Sequence, residues 1–300
     1  MYIIECYGIT QDLHSNNYAL VLKLKDCSLR SFLDKNYNSL TLKDKLYIIE
    51  RICLGLDCIH NHNIIHRDLH LGNILYSIND KKRIEISISD FGFCKPAYEN
   101  SSVPGKKIYG VMPYMAPEIW NGKEYTKESD IYSFGIIINE ILSGSRPYQN
   151  VPHNINLALN ICYGDRPNIR NGTPEPLKKL IQKCWDADIK NRPNTNQIYN
   201  MLRDFMYKKK DQGSYNFKEH TELYEKLQGS SHNMNDGTDG EVIMKDPPSK
   251  PQIFFSQAKY KSKFLNLPNL PAPVNSKSFM ILKSGKFIYF SYFKYFAKNY

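Results

Sequence analysis

The stretch IIHRDLHLGNIL, Ile64 to Leu75, decides how the chain reads. An apolar pair leads into a polar cluster, and a short apolar run follows. His66, Arg67 and Asp68 lie in the middle, Asn73 stands five residues past the aspartate, and Asp90-Phe91-Gly92 comes one short hairpin later. A carboxylate, an amide and a second carboxylate at this spacing are what Mg-nucleotide phosphoryl transfer requires. One acid orients the attacking hydroxyl, while the amide and the other acid hold the metal ions that neutralise charge on the transferring group.

Working outward, HRDLHLGN (His66 to Asn73) is followed by DFG (Asp90 to Gly92), APE (Ala116 to Glu118), DIYSFG (Asp130 to Gly135) and NRP (Asn191 to Pro193). In this order and at these spacings, the chain resembles the catalytic half of a eukaryotic protein kinase over roughly residues 1 to 206. The KCW at Lys183 to Trp185 is similar to the tyrosine-kinase-like group, whose members mostly phosphorylate Ser or Thr.

The resemblance implies an α+β, protein-kinase-like fold that is mainly the α-helical large lobe with a truncated small-lobe sheet. It implies ATP and Mg as cofactors and a protein Ser/Thr, or Tyr, hydroxyl as acceptor in signal transduction. Asp68 would orient the substrate hydroxyl, and Asn73 and Asp90 would hold Mg²⁺. His66 would pack on Phe91 of the Phe91-Gly92 pair, and Arg67 would receive a phosphate on the activation segment. Asp130 would accept hydrogen bonds from the catalytic-loop backbone, and Glu118 would form a buried pair with Arg192. Leu22 falls at the gatekeeper position, Lys23, Leu24 and Lys25 fall at the hinge that meets adenine, and Leu75 completes the nucleotide-binding set.

Three departures accompany the resemblance. Ile3 to Ile9 and Ala19 to Leu24 read as two strands, but no G-x-G-x-x-G and no strand lysine occur anywhere ahead of the hinge. The expectation is a remnant small lobe over 1–27, or a start other than the true one. At the position two past the catalytic aspartate, where a Ser/Thr kinase usually has Lys, stands His70, and Val111 replaces a threonine before APE. His70 can donate a hydrogen bond without a fixed charge, whereas Val111 donates nothing. A catalytically impaired kinase-like fragment acting as a binding or scaffold protein is the alternative reading.

Helices are expected from Ser28 to Lys35, from a Thr41/Asp44 capping box to about His60, and over Ser129 to Leu142, Asn154 to Cys162, Pro176 to Trp185 and Thr195 to Tyr207, completing a large lobe over 28–207. His60 and His62 read as exposed helix-end residues favoured by the helix dipole. Asn79 to Lys82 reads as a hairpin turn before an alternating strand at Ile84, Ile86 and Ile88. Ser101, Ser102 and Tyr109 are the hydroxyls of the segment from Phe93 to Met115.

With 41% hydrophobic residues, the 300-residue chain can bury a core. Seven cysteines without C-x-x-C spacing exclude a recognisable zinc or disulfide framework and point to a reducing compartment, cytoplasmic or nuclear. No secretory signal pattern or membrane-length apolar run is present. Of the net charge of +10, +7 lies beyond Tyr207. Residues 208–250 have a linker composition. Residues 251–300 form a basic aromatic tail that lacks acids and amphipathic period, expected to be solvated, with at most weak contact to an anionic surface and no specific nucleic-acid partner.

Overall fold

The computed structural model describes residues 2–80, 83–97, 108–207, 258–265, 267 and 270–275. A hairpin of β1 (Cys6–Gln11) and β2 (Tyr18–Leu22) opens the chain, followed by β3 (Cys27–Ser28), α1 (Leu29–Asn36) and α2 (Leu42–Asn61). Next come β4 (Ile64–Ile65), β5 (Ile74–Ile78), β6 (Ile84–Ile88), β7 (Lys95–Pro96) and β8 (Ile108–Gly110). The helices α3 (Pro117–Trp120), α4 (Lys127–Ser143), α5 (Ile155–Cys162), α6 (Glu175–Cys184) and α7 (Thr195–Tyr207) follow, and β9 (Lys263–Leu265) is the last element among the described residues.

The helices start where local chemistry tells them to. Thr41 Oγ1 accepts the Asp44 N–H, and the Asp44 carboxylate accepts the Thr41 N–H at 2.9 Å, so two otherwise orphaned donors at the start of α2 are satisfied reciprocally. Thr126 and Ser129 do the same for α4. At its other end, Gly144 takes φ 74°, and a side chain there would collide with the Tyr37 ring.

Helix α4 is buried on every side from Ser129 to Leu142, as a helix at the centre of a lobe must be, and its polar residues there need internal partners. Ile136, Ile137, Ile138 and Ile141 are buried together with Ile48, Ile49, Ile52 and Leu56 of α2 in one continuous core. Gly135 lets α6 approach closely, since a Cβ there would sit 2.6 Å from that of Cys184. Truncating any of these isoleucines to Ala should cost about 2–5 kcal/mol.

The β3-β5-β6 sheet lies over α2 and carries the loop ends of the candidate site. Its register pairs Ile74 with Ile88, so Asn73 and Ser89 emerge side by side. The first expected strand is displaced. Residues 2 to 4 instead line up parallel to β6, with Ile4 N–H donating to the Ile88 carbonyl at 2.8 Å and Ile88 N–H to Tyr2 at 2.9 Å, while the hairpin strand begins at Cys6. The apolar Ile3 and Ile4 gain burial there that an exposed hairpin could not give. Lys81, Lys82, Ser101, Ser102 and the linker 208–250 lie outside the described residues.

The largest correction concerns the tail. Residues 258–265 are packed against the large lobe: β9 pairs antiparallel with β8, and Leu265 is buried in the main core. Further on, Asn121 Nδ2 donates to the Pro271 carbonyl at 3.0 Å and Val274 N–H to that of Cys162 at 2.9 Å. A strand that docks through main-chain bonds and isolated apolar anchors needs no amphipathic period, which is why the composition suggested a solvated tail.

Candidate active site

The loop between β4 and β5 is built on one buried aspartate. Asp130, in the first turn of α4, accepts the His66 N–H at 2.8 Å with one oxygen and the Arg67 N–H at 2.9 Å with the other. Those bonds hold Arg67 at φ 72°, a left-handed conformation that costs a side-chain-bearing residue free energy unless its surroundings impose it. His60 Nε2 lies 3.0 Å from the same Asp130 carboxylate. His60 is therefore a buried member of this network, contrary to the expected exposed helix end. His62 is exposed, with Nδ1 2.7 Å from the Cys58 carbonyl.

His66 is fully buried and its two ring nitrogens have distinct roles. Nε2 lies 3.0 Å from the Ser89 carbonyl, which can only accept, so Nε2 carries the proton and Nδ1 accepts the Asp68 N–H at 3.4 Å. Its ring packs on Phe91 at a tilt of 54°, centroids 5.4 Å apart. The sequence DFG is thereby tied to the loop on both sides: Ser89 N–H and Oγ each donate to the Asn73 carbonyl at 2.8 Å.

Asp68 is buried with its carboxylate at the centre of a polar cluster. Asn73 Nδ2 donates to the Asp68 carbonyl oxygen at 2.9 Å and approaches its Oδ2 at 3.4 Å. His70 Nδ1 accepts the Gly72 N–H at 3.0 Å, which turns a protonated Nε2 toward Asp68 Oδ2 at 3.7 Å. Burial pushes the Asp68 carboxyl up, but His70, the Ser262 hydroxyl and His66 outweigh it and leave it below the ordinary carboxylate range. The Ser262 hydroxyl is the remaining contact and donates to Asp68 Oδ2.

Oxygen donors suited to a hard divalent cation face the same region. With its amide nitrogen committed to Asp68, Asn73 has Oδ1 left to offer, and Asp90 is exposed at φ 63° with Oδ1 held by the Gly92 N–H at 3.4 Å. An amide oxygen and a carboxylate fit Mg²⁺, and no group of three or more His, Cys, Asp or Glu among the described residues offers a softer metal site.

The residues expected at the hinge make contacts with β1, β5 and β6. Leu22 ends β2, Lys23 N–H donates to the Glu5 carbonyl at 2.9 Å, and Leu24 is 93% exposed. The Lys25 ammonium turns into the sheet, 2.7 Å from Glu85 Oε2 and 3.0 Å from Ser77 Oγ. Leu75 is half-buried in β5.

Two supports hold the segment after β8. Arg192 donates both terminal nitrogens to Glu118, at 2.6 and 2.9 Å, and its third and fourth bonds go to the Glu128 and Asp186 carbonyls. Sequence reasoning missed the second support. Arg30 pairs with Glu140 and donates to Tyr114 Oη at 2.6 Å, and Tyr114 donates to Glu140 at 2.7 Å. A glutamate inside the apolar run IIINEIL was the signal for it, since an acid there needs a buried partner. Val111 is buried just ahead, and Arg67 sits over the Tyr125 ring at 5.0 Å.

An α+β fold whose HRD loop hangs from an aspartate of a central helix is the architecture of a protein kinase catalytic region. The chain matches the family described as protein tyrosine and serine/threonine kinase over residues 1–202. It is 32% identical over 180 residues to RGS domain-containing serine/threonine-protein kinase A of Dictyostelium discoideum, covering 60% of this chain and 15% of that one. It is 32% identical over 197 residues to the dual specificity protein kinase shkD of the same organism, covering 64% and 26%. The stress-activated protein kinase alpha of that organism is 34% identical over 160 residues, covering 49% and 24%. The match thus spans about a quarter or less of each of these relatives. The chain belongs to the protein tyrosine and serine/threonine kinase family, and relatives named as kinases lend no support to the scaffold alternative.

Proposed function

We propose that the chain transfers the γ-phosphoryl group of Mg-ATP to Ser or Thr hydroxyls of proteins in a signalling setting, as a member of the tyrosine-kinase-like group. The observation that carries this reading is the Asp68 carboxylate, kept ionised and aimed by Asn73, His70 and the Asp130-anchored backbone. Asp68 receives and orients the acceptor hydroxyl, and with its low proton affinity it acts mainly by positioning. Asn73 and Asp90 hold Mg²⁺, which when bound neutralises charge on the phosphates. Leu22 to Lys25 and Leu75 border the adenine. All seven cysteines are free thiols, which supports a reducing, cytosolic or nuclear location.

The dual-specificity reading has its own observation: where a Ser/Thr kinase usually has Lys and Thr, His70 reaches Asp68 only at 3.7 Å and Val111 has no donor to offer. Radiolabelled phosphate transfer from ATP to a generic basic protein, followed by phosphoamino-acid separation, tests both. Label on Ser or Thr, lost in Asp68→Asn, supports the proposal. Label on Tyr as well supports dual specificity, and incorporation equal in wild type and Asp68→Asn overturns the role of Asp68.

A further inference from the structure

The tail segment Lys259 to Leu265 lies across the Asp68 loop, and each end is anchored. Lys259 N–H lies 3.1 Å from His153 Nδ1, and the His153 ring meets that of Tyr260 edge-on at 4.9 Å. Tyr260 donates its hydroxyl to the Pro147 carbonyl at 2.9 Å. On the far side, Lys263, Phe264 and Leu265 pair with Gly110, Tyr109 and Ile108, Phe264 packs on Tyr109 at 5.7 Å, and Leu265 enters the core.

Between the anchors stands Ser262, its hydroxyl donating to Asp68 Oδ2. An ionised carboxylate only accepts, so the serine proton points at the group that the proposed function assigns to the acceptor hydroxyl. Tyr260, the other hydroxyl of the segment, is occupied by Pro147 and directed away.

We propose that Ser262 is an intramolecular phosphorylation site of this chain, and that Lys259 to Leu265 displays the acceptor pattern its active site takes: a serine with an aromatic residue two positions before it, an apolar one three after it, and lysines between. The inference rests on the function proposed above and deepens it. Ser262 Oγ attacks the γ-phosphorus of Mg-ATP. The Oγ–P bond forms as the bond from that phosphorus to the β,γ-bridging oxygen breaks, ADP leaves with the electron pair, and the hydroxyl proton passes by way of Asp68 to solvent. Holding the hydroxyl at Asp68 removes the entropic cost of a bimolecular encounter. The product is a phosphoserine of charge near −2 against the Asp68 carboxylate, and that repulsion expels the segment and opens the groove to other substrates.

The full chain is incubated with Mg²⁺ and labelled ATP over a hundredfold range of protein concentration, with an added basic protein as a second acceptor, and the sites are mapped by mass spectrometry. Phosphate on Ser262 at a rate independent of chain concentration, absent in Asp68→Asn, supports the proposal. Label on the added protein without Ser262, a Ser262 rate proportional to concentration, or label at Tyr260 in its place overturns it while leaving the proposed function standing. Label on neither acceptor overturns both.

A second measurement needs no nucleotide. A fluorescent peptide of residues 258–267 should bind the Leu265→Asp chain, whose own segment is dislodged, at least tenfold more tightly than it binds wild type. Equal binding overturns the seating, and slow amide exchange of Lys263 to Leu265 in the wild-type chain checks that the segment is seated at the outset.

Discussion

Arg192 grips Glu118 with both ends of its guanidinium, at 2.6 and 2.9 Å, in a site where neither side chain is more than marginally exposed. The two come from helix α3 and the approach to α7, so the pair pins the segment leading out of the active site to the base of the lobe. Arg192→Ala leaves Glu118 as a buried charge without its partner and should destabilise the fold by about 3–5 kcal/mol. Denaturant melts measure it. A loss under about 1 kcal/mol, the range of exposed pairs, would contradict the buried geometry.

Asp130 carries a load of a different kind, because its two oxygens impose the left-handed backbone at Arg67. Asp130→Asn keeps the volume but can accept with one oxygen only, and its amide would face an N–H. Turnover should fall about a hundredfold through kcat, as expected for a small displacement of an orienting group. His60→Ala removes one partner of the same carboxylate and should have a weaker effect in the same direction. An unchanged kcat in Asp130→Asn would show that the loop keeps its shape without this anchor.

The metal assignment is testable without turnover. If Asn73 and Asp90 hold Mg²⁺ between the phosphates, titration calorimetry should show ATP binding that depends on Mg²⁺, and Asp90→Asn should remove most of that dependence. Equal heats with and without Mg²⁺ in the wild-type chain would exclude the role given to Asp90.

The Lys25 and Glu85 pair sets an acid limb of stability. Burial raises the Glu85 carboxyl, but Lys25, Asn79 and Lys23 overcome it and hold it at about 2. A carboxyl depressed in the folded state stabilises above its unfolded value, near 4.3, and that contribution is lost as pH falls toward 2. Solvent screens this partly exposed pair, so wild type should lose about 1 kcal/mol in that window, and Lys25→Met should flatten the loss. Thermal melts from pH 5 to pH 2.5 give the comparison, and parallel curves for the two proteins would contradict the coupling.

Local signals account for what was legible beforehand. The Thr41/Asp44 capping box placed the start of α2, the helices expected from Ser28 and Asn154 start one residue later behind those residues as caps, and α7 has the expected bounds, because capping and period act within one turn of the chain. The Asp130 and Glu118–Arg192 contacts came from the resemblance, and the structure reproduces both. His60 was misread because its partner lies 70 residues away and a histidine near a helix end is usually solvated. Ser262 carries no local signal at all. Its meaning comes from the Asp68 carboxylate 194 residues earlier, and the register of β9 on β8 together with the anchoring of Lys259 and Tyr260 brings the two together.

His70 is where this site departs most from its family, and its role separates positioning from charge. With Nδ1 accepting from Gly72, its ring is fixed and Nε2 is turned toward Asp68 at 3.7 Å, a distance that a small shift during turnover would close. His70→Ala should lower kcat about ten- to a hundredfold with little change in the KM for ATP, since the nucleotide contacts lie elsewhere. His70→Lys should restore much of that loss by supplying a fixed positive charge near the transferring group, and it should lower whatever share of the phosphate wild type places on Tyr. The double variant with Val111→Thr should extend the shift, because the threonine hydroxyl adds a donor where the valine has none. If His70→Ala keeps full kcat, Asp68 is held well enough by Asn73 and the loop backbone. A His70→Lys chain that stays as slow as His70→Ala would show that the imidazole works through its hydrogen bond to Gly72, shaping the loop, and that no charge is wanted at this position.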